Sequence, residues 1–108
     1  MAYHMIENDL QDQDFLDRCT VGFDRDHMPE GADPKENFKD YVLGTYDGIP
    51  KTPEWASDIC GTEPKVIRGF AHEISTIKPM IFMSSFAPAR TYRGQQFCQA
   101  FLTVGWMT

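Results

Sequence analysis

Nowhere do the 108 residues approach the roughly 20 consecutive apolar positions that a membrane span requires. Cysteine is scarce as well. Only Cys19, Cys60 and Cys98 occur, far apart and in no C-x-x-C spacing, so neither a zinc site nor a disulfide framework is suggested. They read as small, partly buried thiols. Positive charge is short: ten Lys and Arg face sixteen Asp and Glu, for a net charge of -6. The carboxylates are spread along the first two thirds, and no basic cluster could follow a phosphate backbone, which argues against nucleic acid as a partner. The N-terminus lacks the basic-then-apolar order of a secretion signal; in a piece of a longer protein this says nothing about compartment. What is present is 42% hydrophobic and 13% aromatic residue, enough for the core of one compact domain and too much for a disordered chain.

Helix signals dominate. Met1, His4, Met5 and Ile6 suit the final turns of a helix. Asp12 or Gln13 stands near the start of a short second one that places Phe15, Leu16 and Cys19 on a common face. Asp33-Pro34-Lys35-Glu36 is a cap followed by proline, with Glu36 able to reach back to the cap; it predicts a helix that runs to Gly44 with Phe38, Tyr41 and Val42 inward. Thr52-Pro53-Glu54 repeats the signal for a helix carrying Trp55, Ala56 and Ile59 and closed by Gly61. Glu63-Pro64 starts the most regular segment, with Ile67, Phe70, Ala71 and Ile74 at i, i+3, i+4 and i+7. Gly94-Gln95-Gln96 leads into a last helix with Phe97, Phe101 and Val104 on one side.

Between the last two helices, Lys78-Pro79 stops one and Met80-Ile81-Phe82-Met83 is a short continuous apolar run, the pattern of a strand buried on both faces. The expected fold class is therefore α/β: a mostly helical piece of a doubly wound, Rossmann-like domain with one clear strand over residues 80–84. One strand cannot satisfy its own backbone, so its neighbours must come from elsewhere.

Few residues suggest chemistry on their own. His4, His27 and His72 are too far apart in sequence to form a ligand set and read as surface histidines, so no metal site is expected. Cys98 has no His or acid spaced to activate it and lies between Phe97 and Phe101, which points to packing. Trp55 reads as a core residue. Arg90, taken alone, is a solvated loop arginine, and Ser84 and Ser85 are turn formers.

Phe15-Leu16-Asp17-Arg18 followed by Val21-Gly22-Phe23-Asp24 resembles the F-L-x-R-(x)2-V-G-[FY]-[DE] passage of bacterial dimethyl sulfoxide and selenate reductase catalytic subunits. The likeness continues in order through Tyr41-Val42-Leu43-Gly44, through the stretch from Asp47-Gly48-Ile49-Pro50 to Trp55-Ala56, and on to Ile67, Ala71, Glu73-Ile74 and Lys78-Pro79. In that family the next loop is usually G-W-G-P-Q-R, followed by a helix with G-E-Q near its start and then T-G-N-[IV]-G. Here the loop is Ser84-Ser85-Phe86-Ala87-Pro88-Ala89-Arg90, the helix begins Gly94-Gln95-Gln96, and Thr108 stands as the first letter of the last motif. Phe86 replaces the usual Trp and loses its N–H; Ala89 replaces Gln and loses both donor and acceptor.

The resemblance implies a single segment, residues 1–108, of a molybdopterin oxidoreductase domain whose parent chain continues past Thr108. It implies a bis(molybdopterin guanine dinucleotide) molybdenum cofactor, with Arg90, Phe86, Ser85 and Ser84 as cofactor contacts. The fixed guanidinium fork of Arg90 suits phosphate or pterin oxygens. The molybdenum ligand and an iron–sulfur cluster would lie in the parent outside this segment. Further implications are anaerobic reduction of an S-oxide, N-oxide or oxyanion, partner iron–sulfur and membrane-anchor subunits, and a periplasmic, membrane-associated location. No catalytic residue and no activity are expected of the segment alone, and uncovered faces predict self-association. The rival expectation is a small helical interaction module without catalysis.

Overall fold

Half of the six helices start at a side-chain cap, Asp12, Asn37 or Thr52. The computed structural model describes residues 1–108 and contains α1 (Ala2–Glu7), α2 (Gln13–Cys19), α3 (Phe38–Leu43), α4 (Pro53–Cys60), α5 (Pro64–Thr76) and α6 (Gly94–Trp106), with 3-10 turns at Pro34–Glu36 and Pro88–Arg90. The Asp12 carboxylate accepts from the Phe15 N–H to start α2, and the Thr52 hydroxyl accepts from the Trp55 N–H to start α4. Gly44 and Gly61 end α3 and α4 in the left-handed conformation, where a residue without Cβ is favoured. No helix is long and apolar enough to cross a membrane.

The helix predicted from Pro34 to Gly44 is broken into two pieces. Asp33 caps the 3-10 turn by accepting from Lys35 N–H at 2.9 Å, but Asn37 is extended, with ψ of 153°, and caps a second start by accepting from Asp40 N–H at 2.8 Å. Almost wholly buried, Asn37 also donates to Pro34 O and to the Asp40 carboxylate, each at 2.7 Å. A buried amide so fully engaged outweighs one more helical turn.

The core is a cluster of Ala2, Met5, Leu16, Phe23, Val42, Ala71, Ile74, Val104 and Met107. Helix α1 packs against α5 and α3, and α4 packs against α5. The two ends of the sequence meet, since the Asp12 N–H donates to Met107 O at 2.9 Å. Several predicted stripes are half used: Ile67, Ala71 and Ile74 are buried while Phe70 is exposed, and Val104 is buried while Phe97 is exposed. Helix α4 buries Pro53, leaves Ile59 largely to solvent and leaves Trp55 37% exposed, so Trp55 sits at the margin of the core and not inside it. Cys19 and Cys60 are exposed and only Cys98 is partly buried.

The α/β expectation is overturned. The molecule contains no strand and no sheet, and residues 80–84 are extended, irregular chain. No backbone-to-backbone hydrogen bond engages residues 80–86, because every other segment is committed to a helix, a turn or a loop and offers no edge to pair with. The apolar run is also buried on one side only. Met80 and Phe82 pack against the core, whereas Ile81 and Met83 are 83% and 82% exposed. A continuous apolar string cannot by itself separate a strand with two covered faces from a segment lying across helices.

Gly69 lies inside α5, and a Cβ there would meet nothing within 4 Å. Gly69→Ala is therefore expected to stabilise the fold by about 0.5–1 kcal/mol, through better helix propensity and a less free unfolded chain. A urea denaturation midpoint that stays put or falls would contradict this.

Candidate functional site

The loop that joins α5 to α6 carries the residues singled out for cofactor contact. Helix α5 ends at Thr76 with Ile77 already extended, as expected two residues before a proline. The chain then crosses the core with Met80 and Phe82 inward, and Phe82 stacks on Phe101 of α6 with ring centroids 4.5 Å apart. After a bend, the 3-10 turn at Pro88–Arg90 brings it back. The Arg90 N–H donates to Ala87 O at 3.2 Å, the Thr91 hydroxyl donates to Pro88 O at 2.8 Å, and the Gly94 N–H donates to Thr91 O at 3.0 Å. Gly94 is buried, and a Cβ there would lie 2.7 Å from the Ala89 carbonyl carbon and oxygen. Only a residue without a side chain lets α6 begin this close to the turn.

Three of the four predicted contacts come together. Ser84, Ser85 and Phe86 line a hollow of 290 Å³ with Ala89 and the Phe97–Cys98 edge of α6. The Ser85 hydroxyl accepts from the Ala87 N–H at 3.4 Å and the Ser84 hydroxyl donates to Ser85 O at 3.4 Å. These bonds are long, so both hydroxyls have capacity to spare. Phe86 is 82% exposed. Arg90 is exposed on the turn and does not line the hollow. No carboxylate pairs with its guanidinium, whereas Arg18, Arg25, Lys51, Lys65 and Arg68 all have carboxylate partners. Beside this hollow, a second one of 410 Å³ is lined only by apolar residues, among them Phe70, Phe82, Met83 and Phe101. It can hold an apolar group and offers no acid, base or nucleophile.

Two polar clusters went unnoticed in the sequence. The Asp40 carboxylate accepts from Arg25 Nε at 2.6 Å, Arg25 Nη2 at 3.2 Å, Asn37 Nδ2 at 2.7 Å and Thr45 Oγ1 at 2.9 Å. The Arg25 guanidinium, helped by Asn37 and Thr45, holds its carboxyl well below the usual range despite burial. The spacing Asn37-x-x-Asp40 is itself a cap pattern, hidden inside what looked like one helix. In the second cluster His27 Nδ1 lies 2.8 Å from Asp24 and 3.8 Å from Asp17. The Asp24 hydrogen bond raises the His27 pKa, so this half-buried histidine is part of a small ion pair network. The Asp24 carboxylate also accepts from the backbone N–H groups of Asp26 and His27 and shapes the same turn. The Arg25–Asp40 cluster is satisfied internally and ties the loop after α2 to α3; the His27 cluster ties the same loop to Asp17 of α2, and one ligand atom each of Asp17, Asp24 and His27 lie within 4.8 Å of one another.

No family model matches the chain, and no solved structure matches it. Several curated proteins do. The dimethyl sulfoxide reductase DmsA of Haemophilus influenzae is 40% identical over 101 residues, which is 93% of this chain and 12% of that protein. DmsA of Escherichia coli K12 is 41% identical over 96 residues, 88% of this chain and 12% of its own length. A dimethyl sulfoxide/trimethylamine N-oxide reductase of Cereibacter sphaeroides is 35% identical over 96 residues, 89% of the chain and 10% of that protein. The chain thus spans only 12% of the length of the first two relatives. Identity at this level along almost the whole segment places the chain in the dimethyl sulfoxide reductase family.

Proposed function

We propose that this chain is one segment of the catalytic subunit of a molybdopterin-dependent oxidoreductase, and that its loop from Ser84 to Arg90 contributes to the pocket of a bis(molybdopterin guanine dinucleotide) cofactor. The observation that carries the proposal is the 40% and 41% identity, over 93% and 88% of the chain, to two proteins named dimethyl sulfoxide reductase. The parent enzyme reduces an S-oxide, N-oxide or similar oxygenated substrate and receives electrons through an iron–sulfur relay in partner subunits. The segment alone has no activity.

The loop residues suit an anionic group. Arg90 presents a guanidinium without a carboxylate partner, the serine hydroxyls of Ser84 and Ser85 earlier in the same loop have weak internal bonds, and Phe86 offers an exposed ring. A guanidinium fork and hydroxyls are what phosphate and pterin oxygens require. When bound, the cofactor supplies the two-electron chemistry at its metal. This chain's part is to bind and orient: Arg90 neutralises charge, Ser84 and Ser85 donate hydrogen bonds, and Phe86 excludes water from one side. The rigid closure at Gly94 fixes the turn that carries Arg90.

The test replaces the matched 96 residues of the Escherichia coli relative with this chain. The graft should retain molybdenum and reduce dimethyl sulfoxide. Arg90→Ala in the graft removes one or two charge-assisted hydrogen bonds and should weaken cofactor retention about tenfold to a hundredfold, read as molybdenum content after dialysis. A graft with full molybdenum content and turnover after Arg90→Ala would remove Arg90 from the site.

A further inference from the structure

His27 is the one basic side chain of the molecule that faces two carboxylates. Its Nδ1 lies 2.8 Å from Asp24 and 3.8 Å from Asp17, and one ligand atom from each of the three falls within 4.8 Å of the others. Each of the five other ion pairs joins a single Lys or Arg to a single carboxylate and is electrically balanced. No Lys or Arg pairs with Asp17 or Asp24, so this group keeps an uncancelled negative charge even when His27 is protonated, and two when it is neutral. The spacing of the histidines conceals the group, because the partners of His27 are carboxylates three and ten residues before it.

We infer that Asp17, Asp24 and His27 form a binding site for one divalent ion of the zinc type. A tetrahedral ion with bonds of about 2.0–2.1 Å holds its ligand atoms about 3.3 Å apart. The separations of 2.8 and 3.8 Å lie on either side of that value, so small side-chain movements seat the ion. An imidazole nitrogen with carboxylate oxygens suits zinc and its transition-metal neighbours, whereas calcium and magnesium take shells of oxygen. Asp17 comes from α2, and Asp24 and His27 come from the loop behind it, which is held in place by its own backbone. Gly22 N–H donates to His27 O at 2.6 Å, Phe38 N–H to Gly22 O at 3.0 Å and Lys39 N–H to Phe23 O at 2.8 Å, and Phe23 is buried in the core. A framework fixed in advance lowers the ordering cost of binding. Gln13 supplies a fourth donor: its amide reaches Asp17 at 2.6 Å and Asp24 at 3.5 Å, and turning the amide over presents its oxygen to the ion. The ion takes the place of the Nδ1 proton, which leaves to water, and its two charges cancel those of the carboxylates. The site shares no residue with the loop from Ser84 to Arg90, so it stands or falls independently of the cofactor proposal.

The experiment is titration calorimetry of the 108-residue chain with zinc chloride, with cobalt(II) absorption identifying the donor atoms. One zinc ion per chain should bind, and calcium and magnesium should not compete for it. The cobalt form should show d–d bands without thiolate charge transfer, which separates this site from Cys19, Cys60 and Cys98. His27→Gln and Asp17→Asn should each weaken zinc binding by about tenfold to a hundredfold. Asp26→Asn, which alters a carboxylate of the same loop outside the group, should change it little. Circular dichroism checks that each variant keeps its helix content; if His27→Gln loses it, Asp17→Asn, at an exposed position, carries the same test. Absence of zinc binding, displacement of zinc by calcium, a thiolate signature, or an affinity that survives the substitutions would overturn the inference and leave His27 as the cation of an ion-pair network only.

Discussion

Asp40→Ala is expected to lower the stability of the fold by about 2–4 kcal/mol, since removing one partner of a buried ion pair strands the groups it satisfied. Asp40 is buried and its two oxygens take four hydrogen bonds. Without them Asn37, itself almost wholly buried, keeps an N–H without its best acceptor. Arg25 is half exposed and can turn to water, which is why the loss falls short of a fully buried pair. Only 15 of 108 residues are buried, so a loss of this size is a large share of the marginal stability expected of such a domain. The same group sets part of the acid limit. Its pKa is depressed from 3.8 by Arg25 first, so its contribution is complete above that unfolded value and disappears as the pH falls through the lower folded one. Acid unfolding curves should therefore be shallower for Asp40→Ala than for the native chain. Superimposable acid limbs, or an unchanged urea midpoint, would show that the cluster contributes little.

Gly44→Ala is expected to be at least as damaging, by about 3 kcal/mol or more. Gly44 ends α3 with φ of 72°, and a Cβ would lie 2.5 Å from both the Ile49 carbonyl carbon and Pro50 N. Those atoms are backbone and cannot rotate away. They are held there by hydrogen bonds from Gly48 N–H to Gly44 O and from Lys51 N–H to Val42 O, both 2.9 Å. Gly48 supplies the control. It has φ of 69° but open space around its absent side chain, so Gly48→Ala carries only the conformational penalty of about 1–2 kcal/mol. Thermal melts that rank the two variants equally would show that the loop moves aside at little cost.

Much of the helical scaffold was legible because its punctuation is local. Asp12, Thr52, Gly44 and Gly61 act through atoms within a few residues, and cap chemistry is written in sequence at that range. What failed depends on distant partners. Whether Met80 to Met83 forms a strand is decided by whether another edge lies alongside, which no local pattern records. Whether Phe70 and Phe97 are covered depends on neighbours that their stripes do not specify. The break at Asn37 had a local sign, but Asp33-Pro34 three residues earlier gave a stronger one. At the candidate site, the sequence identified the loop through resemblance, and the structure groups Ser84, Ser85 and Phe86 while setting Arg90 apart. The Arg25–Asp40 pair, fifteen residues apart, had no signature beyond composition.

Met5 and Met107 are both fully buried in one cluster, and this has a consequence for synthesis. As the chain leaves the ribosome α1 emerges well before α6, which completes its covering. Until α6 is released, Met5, Leu16 and Ala71 have no finished interior to enter, so folding of these residues waits for α6 and begins from contacts of high sequence separation. During that interval the early helices present apolar surface that can aggregate or be held by a chaperone.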